Sequence, residues 1–434
     1  MNDPNVCYAK SSRGEALVWA TLAFFGGFAG VSAFGPIVAR IKDGLDMSPM
    51  LMGLLAASPA LSGSLLRIPF GAVVDRMGGK KPILVLLSLA AVGIAGITAM
   101  FRFNPVPAPE HYPLFLLFGV LCGCGIAVFS VGVPTVSYWY PQKRQGSALA
   151  LYAGLGNLAP GMFALLLPYL VIALGFTTAY LLWLGAIIVL ILAIAALMKD
   201  APYFQYRRMG IEIDPDALLL ACGQELTPSG TALQSLRKAA EDARTWILTG
   251  LYFISFGGFI ALTVWFPTYW SGHFDFDLVK AGGLTALYAL STSLFRVLGG
   301  YASDRWGGER VTMGAFVVLG AGALCMMLAG ASLPTAVGGA MTMALGMGFA
   351  NAAVFKLVPK YTPAAVGGAA GIVGGLGAFG GFAIPLLMGM AVKFQGAAGY
   401  SQGFALFLAT AGVAVFFVMV LIRRVPAQAK VPNL

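Results

Sequence analysis

Apolar runs close to 20 residues long follow one another from near the start of the sequence to near its end. Each is about long enough, as an α-helix, to cross a hydrocarbon core of about 30 Å. Only 10% of the 434 residues are charged and 59% are hydrophobic, where a soluble domain carries about 25% charged residues. No stretch alternates in the way a membrane β-barrel requires. The pattern therefore predicts an all-α membrane protein. Twelve spans are expected, at 17–39, 50–74, 82–101, 113–138, 146–172, 177–198, 246–268, 280–301, 311–331, 334–358, 366–391 and 401–422.

One sustained polar stretch, 199–245, divides six spans from six. The expected organisation is an N-terminal bundle over 1–198, a linker over 199–245 with a short surface helix from Ala232 to Ala243, and a C-terminal bundle over 246–434. Cations crowd one set of loops: Lys10, Arg13, Arg76, Lys80, Lys81, Arg305, Arg310 and those of the linker. Arg40, Lys42, Arg102, Lys280 and Lys393 are all that face the other side. By the positive-inside rule both termini and the linker lie in the cytoplasm. That distribution also accounts for the net charge of +10 without invoking nucleic acid. A polar leader of about 16 residues before a full-length first span argues against a cleavable signal peptide. The five cysteines have no disulfide-framework spacing, and Cys122 and Cys124 read as small packing residues.

Two arginines fall inside spans, Arg67 and Arg296. A charge at that depth costs roughly 2.5–3.5 kcal/mol on insertion scales and faces a cavity as a rule. A shift of 229 residues lays Ser62, Ser64, Leu65, Arg67, Gly71, Asp75 and Arg76 on Ser291, Ser293, Leu294, Arg296, Gly300, Asp304 and Arg305. The halves are thus pseudo-symmetric repeats, an arrangement that puts a transporter's site near the midplane between them. Arg67 lies eight residues from Asp75, about 12 Å along a helix and so near mid-bilayer. Two guanidinium groups about 8 Å apart repel by roughly 2 kcal/mol at an effective dielectric near 20. No Asp or Glu lies within any expected span to neutralise them, so an anion is expected to do so. A planar guanidinium fork suits a flat oxyanion.

The loop Gly71-x-x-x-Asp75-Arg76-x-Gly78-Gly79-Lys80-Lys81, with its twin at Gly300-x-x-x-Asp304-Arg305-x-Gly307-Gly308, resembles the signature loop of the major facilitator superfamily. Glycine-rich stretches at 153–161 and 371–382, taken with Arg67 and Arg296, resemble the nitrate signatures of its nitrate/nitrite porter family. The resemblance covers all but the termini and linker. It implies the major facilitator fold, and gating roles for Gly71, Asp75, Arg76, Gly300, Asp304 and Arg305. It implies helix-packing roles for Gly154, Gly156, Gly375 and Gly377 and substrate contacts from Tyr252 and Phe256 on span 7 and Phe129 on span 4. Asn157 offers an amide to an oxyanion. Ala378 stands at the equivalent place in the second repeat, so one half only supplies that amide from this position. Lys356 on span 10 is a candidate proton carrier provided its amine reaches the cavity.

The expectation is a nitrate and nitrite transporter of the cytoplasmic membrane working by alternating access. Coupling is either nitrate/nitrite exchange or proton symport. A carrier of another small anion, such as phosphate or an organic acid, is the alternative. No enzyme activity, cofactor, metal or nucleic-acid partner is expected. Beyond the anion and the bilayer, the chain is expected to act as a monomer.

Overall fold

A computed structural model describes residues 7, 9–34, 47–103, 108–211, 214–225, 232–330, 332–362 and 366–424. Among them, twelve helical segments are long and apolar enough to cross a membrane. They are span 1 (Arg13–Ser32), span 2 (Met50–Val74), span 3 (Lys80–Phe103), span 4 (Pro109–Trp139), span 5 (Leu151–Leu174) and span 6 (Phe176–Leu197). Then come span 7 (Ala243–Phe274), span 8 (Leu278–Trp306), span 9 (Gly308–Leu328), span 10 (Leu333–Val358), span 11 (Gly368–Gln395) and span 12 (Ala398–Ile422). The expected end of span 1, with Arg40 and Lys42, lies outside the described residues, as do the side chains of Asp75, Arg423 and Arg424.

Among the described residues five spans are interrupted near their middles, span 4 by a 3-10 segment, Cys124–Ala127. Span 2 breaks at Leu66, between helices Pro49–Leu65 and Arg67–Met77. Span 5 breaks at Asn157, between Gln142–Gly156 and Leu158–Leu174. Span 11 breaks at Phe379, and span 7 passes through a π-helical segment, Phe253–Gly257. Interrupted helices in membranes free backbone groups at depth and are tolerated where protein or a cavity surrounds them; π-segments concentrate at functional positions. Span 8, the repeat partner of span 2, runs unbroken from Leu278 to Trp306.

Spans 2 and 5 pack against spans 11 and 8, most extensively in the halves remote from the linker. Backbone meets backbone there. A Cβ on Gly282 would lie 2.5 Å from the Ala164 carbonyl oxygen, and one on Gly53 would lie 3.2 Å from that of Pro385. Small residues permit such crossings, which lipid alone would not drive. Nearer the linker the approach is looser at Gly154, whose Cβ would stand 3.6 Å from Val297.

The linker is more structured than its polarity implies. It holds helices Pro202–Arg208 and Pro215–Cys222, besides the expected one, which runs Ala232–Glu241. That last helix is amphipathic and lays Leu236 and Ala239 against span 11. The Pro202–Arg208 helix instead grips the loop between spans 2 and 3. Arg207 donates to the Arg76 carbonyl at 3.4 Å and Arg208 to that of Met77 at 2.8 Å. Beside them the carboxylate of Asp200, fully buried, pairs with Arg208 and accepts from the Lys80 backbone N–H at 2.8 Å. At Gly78, with φ 80°, a Cβ would lie 2.5 Å from the Asp200 carboxyl, so both conformation and space require glycine.

The reading of the cysteines needs correcting. Cys7 and Cys222 form a disulfide with Cα atoms 5.1 Å apart, 215 residues apart in sequence. The N-terminal segment folds onto the linker, where Lys10 and Gln205 exchange two 2.9 Å hydrogen bonds and Arg13 reaches the Gly223 carbonyl. No sequence spacing encodes a pairing made by docking of this kind. Cys122 and Cys124 are free and buried, as packing residues should be.

Candidate functional site

The break in span 2 puts Arg67 at the first position of its second helix, fully buried. Nη1 donates to the Gly374 carbonyl of span 11 at 3.2 Å. Nε and Nη2 are buried and meet no acceptor among the described residues. Arg296 on span 8 is half-buried; its Nη2 reaches the Tyr252 hydroxyl at 3.4 Å and its Nη1 is buried without a partner. Among the described residues five ion pairs form, and neither arginine belongs to any of them.

Phe256 brings the two arginines together. The guanidinium carbon of Arg67 lies 5.1 Å from its ring centroid and that of Arg296 lies 5.5 Å away. Arg67 also stands 5.0 Å from the ring of Phe129. Cation–π attraction at a desolvated site is worth about 2 kcal/mol, so the rings hold the cations without neutralising them. Tyr252 stacks on Phe256 at 4.9 Å, and the π-helical segment begins directly after it. The sequence reading missed Phe355 of span 10, which meets Tyr252 edge-on at 4.9 Å and Phe129 at 6.3 Å. One aromatic among 30 phenylalanines carries no signal of its own; its position one residue before Lys356 was the available hint.

Arg67, Arg296, Phe129, Tyr252 and Phe256 thus form one cluster. Asn157 sits at the break in span 5, buried, its carbonyl accepting from Ser293 of span 8 at 2.9 Å and its side-chain oxygen unpartnered. The glycine stretches abut the cluster. A Cβ on Gly377 would lie 2.7 Å from Tyr252 Cδ1, and one on Gly375 would lie 2.8 Å from Ile68, the neighbour of Arg67. Gly156 gives the same room to Phe24, which packs 5.1 Å from Phe129. The cluster is rich in donors and walled by aromatic rings, and the described contacts of its two arginines include no carboxylate.

The signature loops lie elsewhere. Asp304 forms an ion pair with Lys356, whose Nζ also donates to the Ser303 carbonyl at 2.9 Å. Lys356 is therefore turned to the loop in this structure and not to the arginine cluster, because it sits about 100° round the helix from Phe355, which does meet that cluster. The condition for its carrying a proton in the cavity is not met. Arg76 and Arg305 are exposed. Gly71 faces the Ser130 carbonyl and Gly300 faces Ala352, at 3.4 and 4.0 Å from a built Cβ.

A family model described as Major Facilitator Superfamily matches residues 20–287 and 248–434. The chain is 31% identical over 408 residues to the "Probable nitrate/nitrite transporter NarK2" of Mycobacterium tuberculosis, with 93% of this chain and 95% of that one aligned. It is 29% identical over 418 residues to the "Probable nitrate/nitrite antiporter NarK1" of Thermus thermophilus, with 89% of this chain and 87% of that one aligned. Among solved structures it resembles the partially occluded inward-open xylose transporter XylE of E. coli, with a TM-score of 0.71 over 96% of this chain and all of that one. At 14% identity that last likeness concerns the fold alone.

Proposed function

The chain belongs to the nitrate/nitrite porter family of the major facilitator superfamily, and we propose that it carries nitrate and nitrite across the membrane by alternating access. It is a multi-pass transporter and not an enzyme. In this reading the anion lies between Arg67 and Arg296, against the rings of Phe256 and Phe129, with the Tyr252 hydroxyl and the Asn157 amide as further donors. One observation carries it: three buried guanidinium nitrogens, Nε and Nη2 of Arg67 and Nη1 of Arg296, have no acceptor among the described residues. Unpaired buried charge is costly, and a monovalent oxyanion supplies acceptors and charge together.

Residues 1–198 and 246–434 act as two bodies that rock about this site, joined by 199–245. Both termini and the linker face the cytoplasm. Gly71, Asp75, Arg76, Gly300, Asp304 and Arg305 gate at that face without touching the anion; the Asp304–Lys356 pair is one such contact. Coupling is by exchange. Without an anion the two cations repel across the site, so closure is disfavoured until one binds; the commitment of Lys356 to Asp304 supports the same choice over proton symport.

Proteoliposomes decide the matter. Labelled nitrate should enter vesicles loaded with nitrite far faster than empty ones, whatever pH gradient is imposed. Uptake that follows an inward proton gradient without internal nitrite would replace exchange by symport. Uptake of phosphate or an organic acid in place of nitrate would overturn the substrate.

A further inference from the structure

The second repeat has Ala378 where the first has Asn157, yet a second buried amide stands close by on a different helix. We propose that Asn351 of span 10 is a further specificity-determining contact of the anion site, serving the oxygen that nitrate has and nitrite lacks. This rests on the reading of the arginine pair given above.

Asn351 is 1% exposed, and its side-chain oxygen meets no partner among the described residues. Its helix crosses span 8 beside Arg296: a Cβ on Gly348 would lie 3.0 Å from the Arg296 backbone nitrogen. Three and four residues apart on a helix are neighbours on one face, so Gly348, Asn351 and Phe355 form a single stripe. One end of that stripe touches Arg296, and the other touches Tyr252 through Phe355 at 4.9 Å. Helical side chains lean towards the N-terminus of their helix, which tips the amide of Asn351 towards the level of Gly348, hence of Arg296.

The chemistry is complementary. Arg296 Nη1 is a buried donor without an acceptor, and Asn351 Oδ1 is a buried acceptor without a donor. A primary amide has two ends. In the anion-bound site its oxygen faces Nη1, with which it makes no hydrogen bond in this structure, while its NH2 group donates to an anion oxygen held between the arginines. Nitrate presents three oxygens and nitrite two. With two taken by the guanidinium groups, the amide adds a contact for nitrate alone. A site built to hydrogen-bond a group discriminates against the ligand that lacks it.

The experiment measures the KM for nitrate and for nitrite in proteoliposomes with the wild type, Asn351→Leu and Asn351→Asp. Asn351→Leu is expected to raise the nitrate KM about 10-fold and to move the nitrite KM less than about 3-fold, the loss of one hydrogen bond to a charged ligand. Asn351→Asp, close to isosteric, puts a carboxylate against Arg296 and is expected to slow transport of both ions by about 100-fold or more. Unchanged constants in Asn351→Leu, or equal losses for both ions, overturn the proposal while leaving nitrate transport standing; so does wild-type transport by Asn351→Asp, which decides the question should the leucine variant not fold. A wild type that moves neither ion overturns this inference together with the reading beneath it.

Discussion

Arg67 of span 2 donates a hydrogen bond to the backbone carbonyl of Gly374 in span 11, 307 residues further along the chain, at 3.2 Å. The bond crosses the seam between the two repeats at the depth of the site. A carbonyl accepts one hydrogen bond but leaves the positive charge intact, so the contact orients the guanidinium and keeps two of its nitrogens free for another acceptor. It also gives the glycine-rich stretch of span 11 a second role beside close packing.

Lysine at either arginine keeps the charge and loses the fork. Arg67→Lys and Arg296→Lys are each expected to lower nitrate counterflow by about 100-fold or more, the equivalent of about 2.7 kcal/mol, with unchanged elution of the folded protein in detergent. Counterflow near the wild-type rate in either variant would mean that the pair does not hold the anion.

Tyr252→Phe removes the hydroxyl that meets Arg296 Nη2 at 3.4 Å. The distance is long for a hydrogen bond, and the ring stack on Phe256 at 4.9 Å survives the change. The nitrate KM should rise about 3- to 10-fold with little effect on maximal rate, as read from initial uptake at graded nitrate.

Gly377→Ala places a methyl group 2.7 Å from Tyr252 Cδ1 and 2.9 Å from its Cβ. Overpacking of that kind costs about 1–3 kcal/mol, borne by the ring that lines the site. Transport should fall far more than thermal stability does. Nitrate exchange and the melting temperature, measured on one preparation, separate the two.

Lys356→Met breaks the pair with Asp304 and removes the titratable amine of span 10. Nitrate/nitrite exchange is expected to keep the wild-type pH profile between about pH 6 and 8, since a proton carrier is identified by a profile that flattens on its removal. A flattened profile would restore Lys356 to the coupling mechanism.

Asp242 caps the first turn of span 7 and pairs with Arg244 at 2.7 Å, and that partner holds its carboxyl below the usual carboxylate value. A depressed carboxyl stabilises the fold above its unfolded pKa, and the contribution disappears as pH falls through the folded one. Asp242→Asn should therefore melt slightly earlier than the wild type at neutral pH, by an amount matching about 0.5 kcal/mol for so exposed a pair. The gap should close below about pH 4.

Much of this was readable from the residues, and the rest has physical reasons for its silence. Span length is a property of composition along a line, so all twelve helices stood near their expected places. Arg67 and Arg296 were legible because charge inside an apolar run is expensive and their flanks repeat. The Gly374 carbonyl was not, since every residue has one. Phe355 and Asn351 depend on how span 10 is rotated about its axis, which an all-round apolar helix does not declare. Asp200 and the Cys7–Cys222 disulfide arise where the linker folds back on the bundle, a packing event with no periodicity. The aim of Lys356 stayed open in the sequence, because whether an amine points along or across its helix is decided by its nearest counter-ion.

At the end of the bundle away from the linker, spans 5 and 8 touch main chain to main chain at Gly282 and Ala164, with 2.5 Å left for any added carbon. A single methyl group there would act as a doorstop. The carrier would be propped ajar on that side, still able to load an anion from it and unable to complete the swing that delivers it, so the same substitution that silences transport would supply a trapped form for binding studies.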